Sequence, residues 1–356
     1  MKKLGLFIPA IACLFLSSAL NAGEYDHVYR GIRPLGMGGA FVAVSNDQNA
    51  LFYNPAGLSY VPKQRITLLS VEAELGRDGY DAVTDALDVD TESEQEVASY
   101  LRDYIGEYTH AAAAVFPCYI RPHFAFGVFG TARANTMARN YQYPSLVVDC
   151  AWNAGAAAGY AHSLLDDSLS IGASVKYVHR ESLTGEYTVP DITSDDFDDM
   201  LEDDTLDGSG TLLDLGLIYR FGDFPIGGRT VSFQAGISVN NLIGADLGHA
   251  RDLEEHVDVG CAILVGPWIF ALDYFDISGR VGDDDDVGKR LRVGAEYRFS
   301  ERVTARAGFH QGYPTLGLTI DMRFVQVDFL TYAEEVGTFA GQHDDRRYAL
   351  GLRFGF

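Results

Sequence analysis

Residues 290–299 read Arg290-Leu291-Arg292-Val293-Gly294-Ala295-Glu296-Tyr297-Arg298-Phe299. Every second residue from Leu291 to Phe299 is apolar, and those between are charged or glycine. A period of two puts the apolar set on one face of a β-strand and the polar set on the other. Apolar outside and polar or small inside is the pattern of a strand in a transmembrane barrel.

The pattern recurs along the chain. Leu169, Ile171, Ala173, Val175 and Tyr177 alternate with Ser170, Gly172, Ser174 and Lys176, and Tyr348, Leu350, Leu352, Phe354 and Phe356 close the sequence in the same way. Fourteen such segments are predicted, at 65–75, 110–118, 124–133, 146–161, 169–177, 213–221, 231–239, 257–265, 268–274, 291–299, 303–309, 316–320, 325–329 and 348–356. Single-chain bacterial barrels have an even number of strands. The connections alternate too: 76–107, 134–145, 181–210, 242–253, 278–287 and 334–343 are long, and only 311–314 is short in that series. The others are tight turns such as Arg121-Pro122, Asp166-Asp167 and Gly266-Pro267. The expected fold is all-β, a transmembrane antiparallel barrel of about 14 strands with short turns at one end and loops at the other.

Composition agrees. Of 356 residues 47% are hydrophobic, yet mean hydropathy is −0.01, so apolar residues are abundant but interrupted. No apolar run after residue 22 approaches the roughly 18 residues of a membrane helix. A net charge of −23 argues against nucleic acid, whose phosphates require clustered Lys and Arg. Residues 1–22 begin Lys2-Lys3, continue with an apolar run and end Ser17-Ser18-Ala19-Leu20-Asn21-Ala22, the layout of a secretory signal with cleavage after Ala19 or Ala22. Cys118, Cys150 and Cys261 then remain, an odd set without metal-ligand spacing, and act as small apolar residues. No metal or cofactor is expected.

One stretch departs from alternation. Residues 31–58 read GIRPLGMGGAFVAVSNDQNALFYNPAGL. Gly36, Gly38 and Gly39 permit positive φ or close backbone approach. Asp47 is a candidate N-cap for one turn through Ala50, Leu51, Phe52 and Tyr53, which Pro55 ends by pushing Asn54 out of the helical region. Asn54, Pro55, Ala56 and Gly57 form a tight turn. No strand precedes the glycines and no third one completes a nucleotide fingerprint, so a packed turn is the better reading.

The run Gly36-Met37-Gly38-Gly39-Ala40 followed by residues 50–58, with Asn54-Pro55-Ala56 at its centre, resembles the N-terminal region of FadL/TodX-type outer-membrane proteins and their PorV-like and UPF0164-like relatives. The resemblance implies a hatch, 23–63, inside a barrel, 64–356, with Gly36, Gly38, Gly39, Asn54, Pro55, Ala56 and Gly57 as gate. It implies passive uptake of hydrophobic small molecules, of the long-chain fatty acid or aromatic hydrocarbon class, in a bacterial outer membrane, and insertion by the barrel assembly machinery, which would read Phe356. Expected partners are outer-membrane lipid and the hydrophobic ligand. Residues 307–356 look closer to the PorV-like branch, which implies the alternative of a non-transporting surface barrel that docks secreted proteins.

The inward phase carries Arg133, Lys176, Arg220, Arg290, Arg292, Arg298, Arg306 and Arg353, with Asp214 and Asp273 among the acids. Opposite charges there can pair across strands, or an arginine can hold a carboxylate head group or a plug edge. No Ser/His motif marks a barrel hydrolase, so an enzyme is not expected. In the first loop Ser93-x-x-Glu96 opens an amphipathic helix, expected to pack over the barrel mouth. Residues 191–207 hold nine acids and no base, with Phe197, Met200 and Leu201 at helical spacing; without EF-hand spacing this acidic loop, like 283–286, is read as solvated rather than calcium-binding.

Overall fold

The computed structural model of the chain describes residues 24–77, 79–243, 247–282 and 286–356; the expected signal at 1–22 and most of the 283–286 acidic run lie outside them. The first strands are β1 (Arg65–Gly76), β2 (Tyr108–Val115), β3 (Cys118–Arg121), β4 (Phe124–Arg139), β5 (Ser145–Leu164), β6 (Leu169–Thr188), β7 (Thr205–Ile226) and β8 (Arg229–Asn240). They continue as β9 (His256–Val265), β10 (Trp268–Tyr274), β11 (Leu291–Arg298), β12 (Val303–His310), β13 (Tyr313–Asp321), β14 (Val325–Glu335) and β15 (Asp344–Gly355). Each pairs antiparallel with its neighbours, and β15 returns to β1 in the register Val71↔Leu352, Ala73↔Leu350. The sheet therefore closes and leaves no edge, which a hydrocarbon environment requires.

Fifteen strands make fourteen staves, because β2 and β3 both pair with β1 and β4 and are two halves of one stave. The continuous strand expected at 110–118 is broken at Phe116-Pro117. Pro117 has no N–H for the ladder, and Phe116 is swung inward and buried.

Outward side chains such as Phe126, Val128, Val175, Leu272, Leu316 and Leu350 are large, apolar and exposed. A continuous apolar belt of this kind is stable only against lipid. Aromatic contacts between Trp268 and Tyr297 (4.3 Å) and between Tyr297 and Phe299 (4.6 Å) lie beside the short turns, as an interfacial girdle. No described helix is long and apolar enough to cross a membrane.

Two expected loops are largely strand. β4 runs to Arg139 where a loop was expected from 134, and the 181–210 loop shrinks because β6 extends to Thr188 and β7 begins at Thr205. At 20 residues β6 is about twice the 9–11 that span a bilayer, so β4–β7 project beyond it. Helix Glu94–Asp103 forms as expected, with the Ser93 hydroxyl accepting from Glu96 N. It does not cover the mouth. Val97, Ala98 and Leu101 pack with Ala134, Val148, Cys150 and Leu183, which share the outward face with Trp152. Helix Phe197–Asp204 joins that face through Phe197, edge-on to Tyr187 at 5.1 Å. Above the bilayer the outward face meets water instead of lipid, and these helices cover it.

Candidate functional site

Residues 24–63 lie in the lumen, most of them buried against the inner faces of the staves, with Pro62 and Lys63 exposed. The segment stays irregular because its glycines and proline interrupt any helix. A short helix, Ile32–Gly36, is followed by turns with Gly38 and Gly39 at φ 63° and 81°. It is seated where the wall lacks side chains. A Cβ on Gly38 would lie 2.5 Å from Val293 O, one on Gly308 2.6 Å from Gly38 N, and one on Gly172 2.5 Å from Ala56 N. The inward glycines of the wall are thus the sockets of the segment.

Asp47 caps the turn Gln48–Leu51 by accepting from Asn49 N at 2.9 Å, as its position predicts. Pro55 does more than end that turn. It begins a second one, Pro55–Tyr60, with Asn54 as its N-cap. Asn54 is fully buried: its Oδ1 accepts from Ala56 N at 3.1 Å, and its Nδ2 donates to Val42 O at 2.9 Å with Leu217 O and Ile237 O at 3.3 Å. One side chain ties the segment to itself and to β7 and β8. Gly57 packs on Ser45, and a side chain there would collide with the Ser45 carbonyl.

Charges hold the rest. Asp26 receives Arg180 at 2.8 Å and Arg133 at 2.9 Å, and Arg251 at 3.2 Å from the 247–255 connection, whose Leu247 and Leu253 dip into the lumen. Burial opposes ionisation of Asp26, but the three guanidiniums outweigh it and hold its carboxyl well below the usual range. Glu24 likewise pairs with Arg30 (2.8 Å) and Arg347 (3.0 Å). Arg33 meets both oxygens of Glu296, at 2.9 and 3.0 Å, and also Asp47. Bidentate pairing of this kind fixes orientation as well as position.

The inward residues expected from the sequence divide clearly. Arg133 binds the segment; Lys176 pairs with Asp214 at 2.6 Å; Arg306 pairs with Glu296 and Arg353 with Asp328, each at 2.7 Å. Asp273 accepts from Phe41 N and Val42 N at 2.5 and 2.7 Å, again on the segment. Arg290 is bound to Asp276, while Arg292 lies over Phe275 at 4.0 Å and Arg220 over Tyr60 at 3.9 Å. Arg298 is exposed at the short-turn mouth and does not join them. Sequence reasoning missed Glu24, Asp26, Arg30 and Arg33, since charges in an irregular segment have no period to assign them, and missed Glu334 and Arg347 because β14 and β15 run past the ends expected for them.

An aromatic cluster lies beside these charges. Tyr29, Phe52, Phe116 and Phe129 pack with ring centroids 5.0–5.5 Å apart. Next to it is a cavity of about 100 Å³ with a mixed lining: Val28, Leu35, Ala112 and Ala114 face it, and so do Glu24, Arg30, Glu72, Glu74, His110 and Arg133. At the short-turn end a wider vestibule of about 620 Å³ opens below the segment. Cys118 and Cys150 are buried and Cys261 is exposed, and no disulfide joins them.

A family model described as "F plasmid transfer operon, TraF, protein" matches residues 147–321. No characterised protein matches by sequence. Among solved structures, the Ralstonia pickettii toluene transporter TbuX superposes with a TM-score of 0.50 at 14% identity, covering 95% of this chain and 100% of that one. The P. putida toluene transporter TodX gives 0.46 at 12% identity over 92% and 97%. The monoaromatic hydrocarbon channel CymD gives 0.44 at 13% over 93% and 98%. The TbuX likeness spans both chains almost end to end, and with the closed sheet and the apolar belt it shows that the two share one fold, a closed antiparallel transmembrane barrel.

Proposed function

We propose that the chain is an outer-membrane channel for small hydrophobic molecules, with residues 23–63 as its hatch and 64–356 as its barrel. The supporting observation is an aromatic cluster inside an otherwise ionic lumen, Tyr29, Phe52, Phe116 and Phe129, with a cavity of mixed lining beside it. A hydrophilic solute would need open water along its route, whereas here the luminal charges are largely paired with one another. TbuX is a toluene transporter, and that name supports the same substrate class for this chain. Passage is passive: local detachment at Gly36, Gly38, Gly39 and the Asn54-Pro55-Ala56-Gly57 turn opens the path, and the ligand moves down its gradient. The short turns face the periplasm and the longer connections face outward.

The test is uptake of radiolabelled toluene into proteoliposomes. Uptake above empty vesicles that a segment-locked variant loses supports the channel. A second reading, docking of secreted proteins, draws on Tyr141 and Tyr143, which are 69% and 78% exposed between β4 and β5. Absence of uptake together with capture of a secreted protein that Tyr141→Ala, Tyr143→Ala abolishes would favour it.

A further inference from the structure

The vestibule at the short-turn end has a charge opposite to that of the molecule. The chain carries −23 overall, yet the 620 Å³ opening is lined by eight cations and four acids. On its floor the charges are matched: Arg33 and Arg306 share Glu296, Arg65 meets Asp321 at 2.7 Å, and Arg353 meets Asp328. On its rim they are not. Lys63, Arg298, Arg302 and Arg323 are exposed there with one acid, Glu301, and no carboxylate among the described residues pairs with them.

We infer that this rim is a docking site for an acidic, polycarboxylate segment of a periplasmic protein. The spacing of the cations selects that ligand. They come from three places, the approach to β1, the β11–β12 turn and the β13–β14 turn, and surround a wide opening. A single phosphate or carboxylate is bound by donors that converge on one point. Separated cations around a cavity suit an anion that spreads its charge along a chain, and exposed charges of this sort steer and orient a partner. The floor of the vestibule includes Arg33, Asn46 and Asp47 of the luminal segment, so the docked chain would touch the segment itself. The inference stands whether or not the channel reading holds, because it needs only the barrel and its orientation.

The experiment uses the full-length barrel in zwitterionic nanodiscs and a fluorescein-labelled hexaglutamate peptide, read by anisotropy at low and high salt. Wild type should bind the peptide, with affinity falling as salt rises. Arg298→Glu, Arg302→Glu, Arg323→Glu together should weaken it about tenfold or more. Arg229→Glu, on the β7–β8 hairpin outside the vestibule, should leave it within about twofold. Heat-modifiability on gels reports that each variant is a folded barrel. Equal affinity in the triple variant, equal loss in Arg229→Glu, or displacement by inorganic phosphate at matched charge would each overturn the proposal. Displacement by phosphatidylglycerol vesicles with no effect of the triple variant would reassign the cations to lipid.

Discussion

Replacement of Asn54 separates a luminal segment held by specific bonds from one that is merely packed. Asn54→Ala removes the N-cap bond to Ala56 N and the donor to Val42 O. Loss of a cap costs about 1 kcal/mol, and a buried carbonyl left without its donor costs about 1–3 kcal/mol more. The local detachment equilibrium should therefore shift by about 2–4 kcal/mol, or about thirty- to a thousandfold. Asn54→Asp keeps the cap acceptor but turns a carboxylate oxygen towards Val42 O, Leu217 O and Ile237 O, so it should be the more disruptive despite its similar shape. The assay is trypsin cleavage after Arg30, followed by mass spectrometry, on barrels shown to be closed by heat-modifiability. Cleavage should rise in the order wild type, Ala, Asp, and toluene flux should rise with it. If Asp were as protected as wild type, the Asn54 bonds would not be holding the segment.

The sockets make a second prediction: Gly38→Ala, strained by its positive φ and by a Cβ 2.5 Å from Val293 O, should destabilise seating by about 1–3 kcal/mol and expose Arg30 to trypsin without unfolding the barrel. A third concerns pH. Because the folded pKa of Asp26 is depressed, its contribution is complete above the unfolded value of about 3.9 and is lost as pH falls towards the folded value. N-terminal protection should thus hold from pH 7 to about 4 and fail only below, while Asp26→Asn, which leaves three guanidiniums facing a neutral side chain, should lose it at every pH. Phe116→Ala should enlarge the aromatic gap beside Tyr29 and Phe52 at a cost of about 3–5 kcal/mol, and transport assays should then admit bulkier aromatics than toluene.

Inside the bilayer the fold was legible because lipid imposes a strict rule on every second residue. Leu291, Val293 and Phe270 have no alternative to facing outward. The rule lapses above the membrane, where Glu181 and Leu183 share one face of β6, and a strand there reads as a polar loop. The stave break at Phe116-Pro117 was visible only as a proline, which marks an interruption without saying that Phe116 turns inward. In the lumen, the motif residues Gly38, Asn54 and Gly57 were legible because each performs a local backbone task. On the wall, Gly172 and Gly294 were read as small residues between outward apolar ones, and nothing local assigns them, or Gly308, to a socket. The ion pairs joining Glu24 to Arg347 and Arg33 to Glu296 span hundreds of residues, and no local pattern encodes them.

The central claim is that hydrophobic solutes pass where residues 24–63 now sit. Gly36 and Gly317 face each other so closely that a Cβ on either lies 3.2–3.4 Å from the other's Cα, compatible with a disulfide after a small adjustment. In a chain with Cys118, Cys150 and Cys261 replaced by alanine, Gly36→Cys, Gly317→Cys would lock segment to wall. The decisive measurement is radiolabelled toluene uptake into proteoliposomes holding this variant, oxidised and then reduced. The account predicts uptake at the empty-vesicle level when oxidised and recovery on reduction; equal uptake in both states would contradict it.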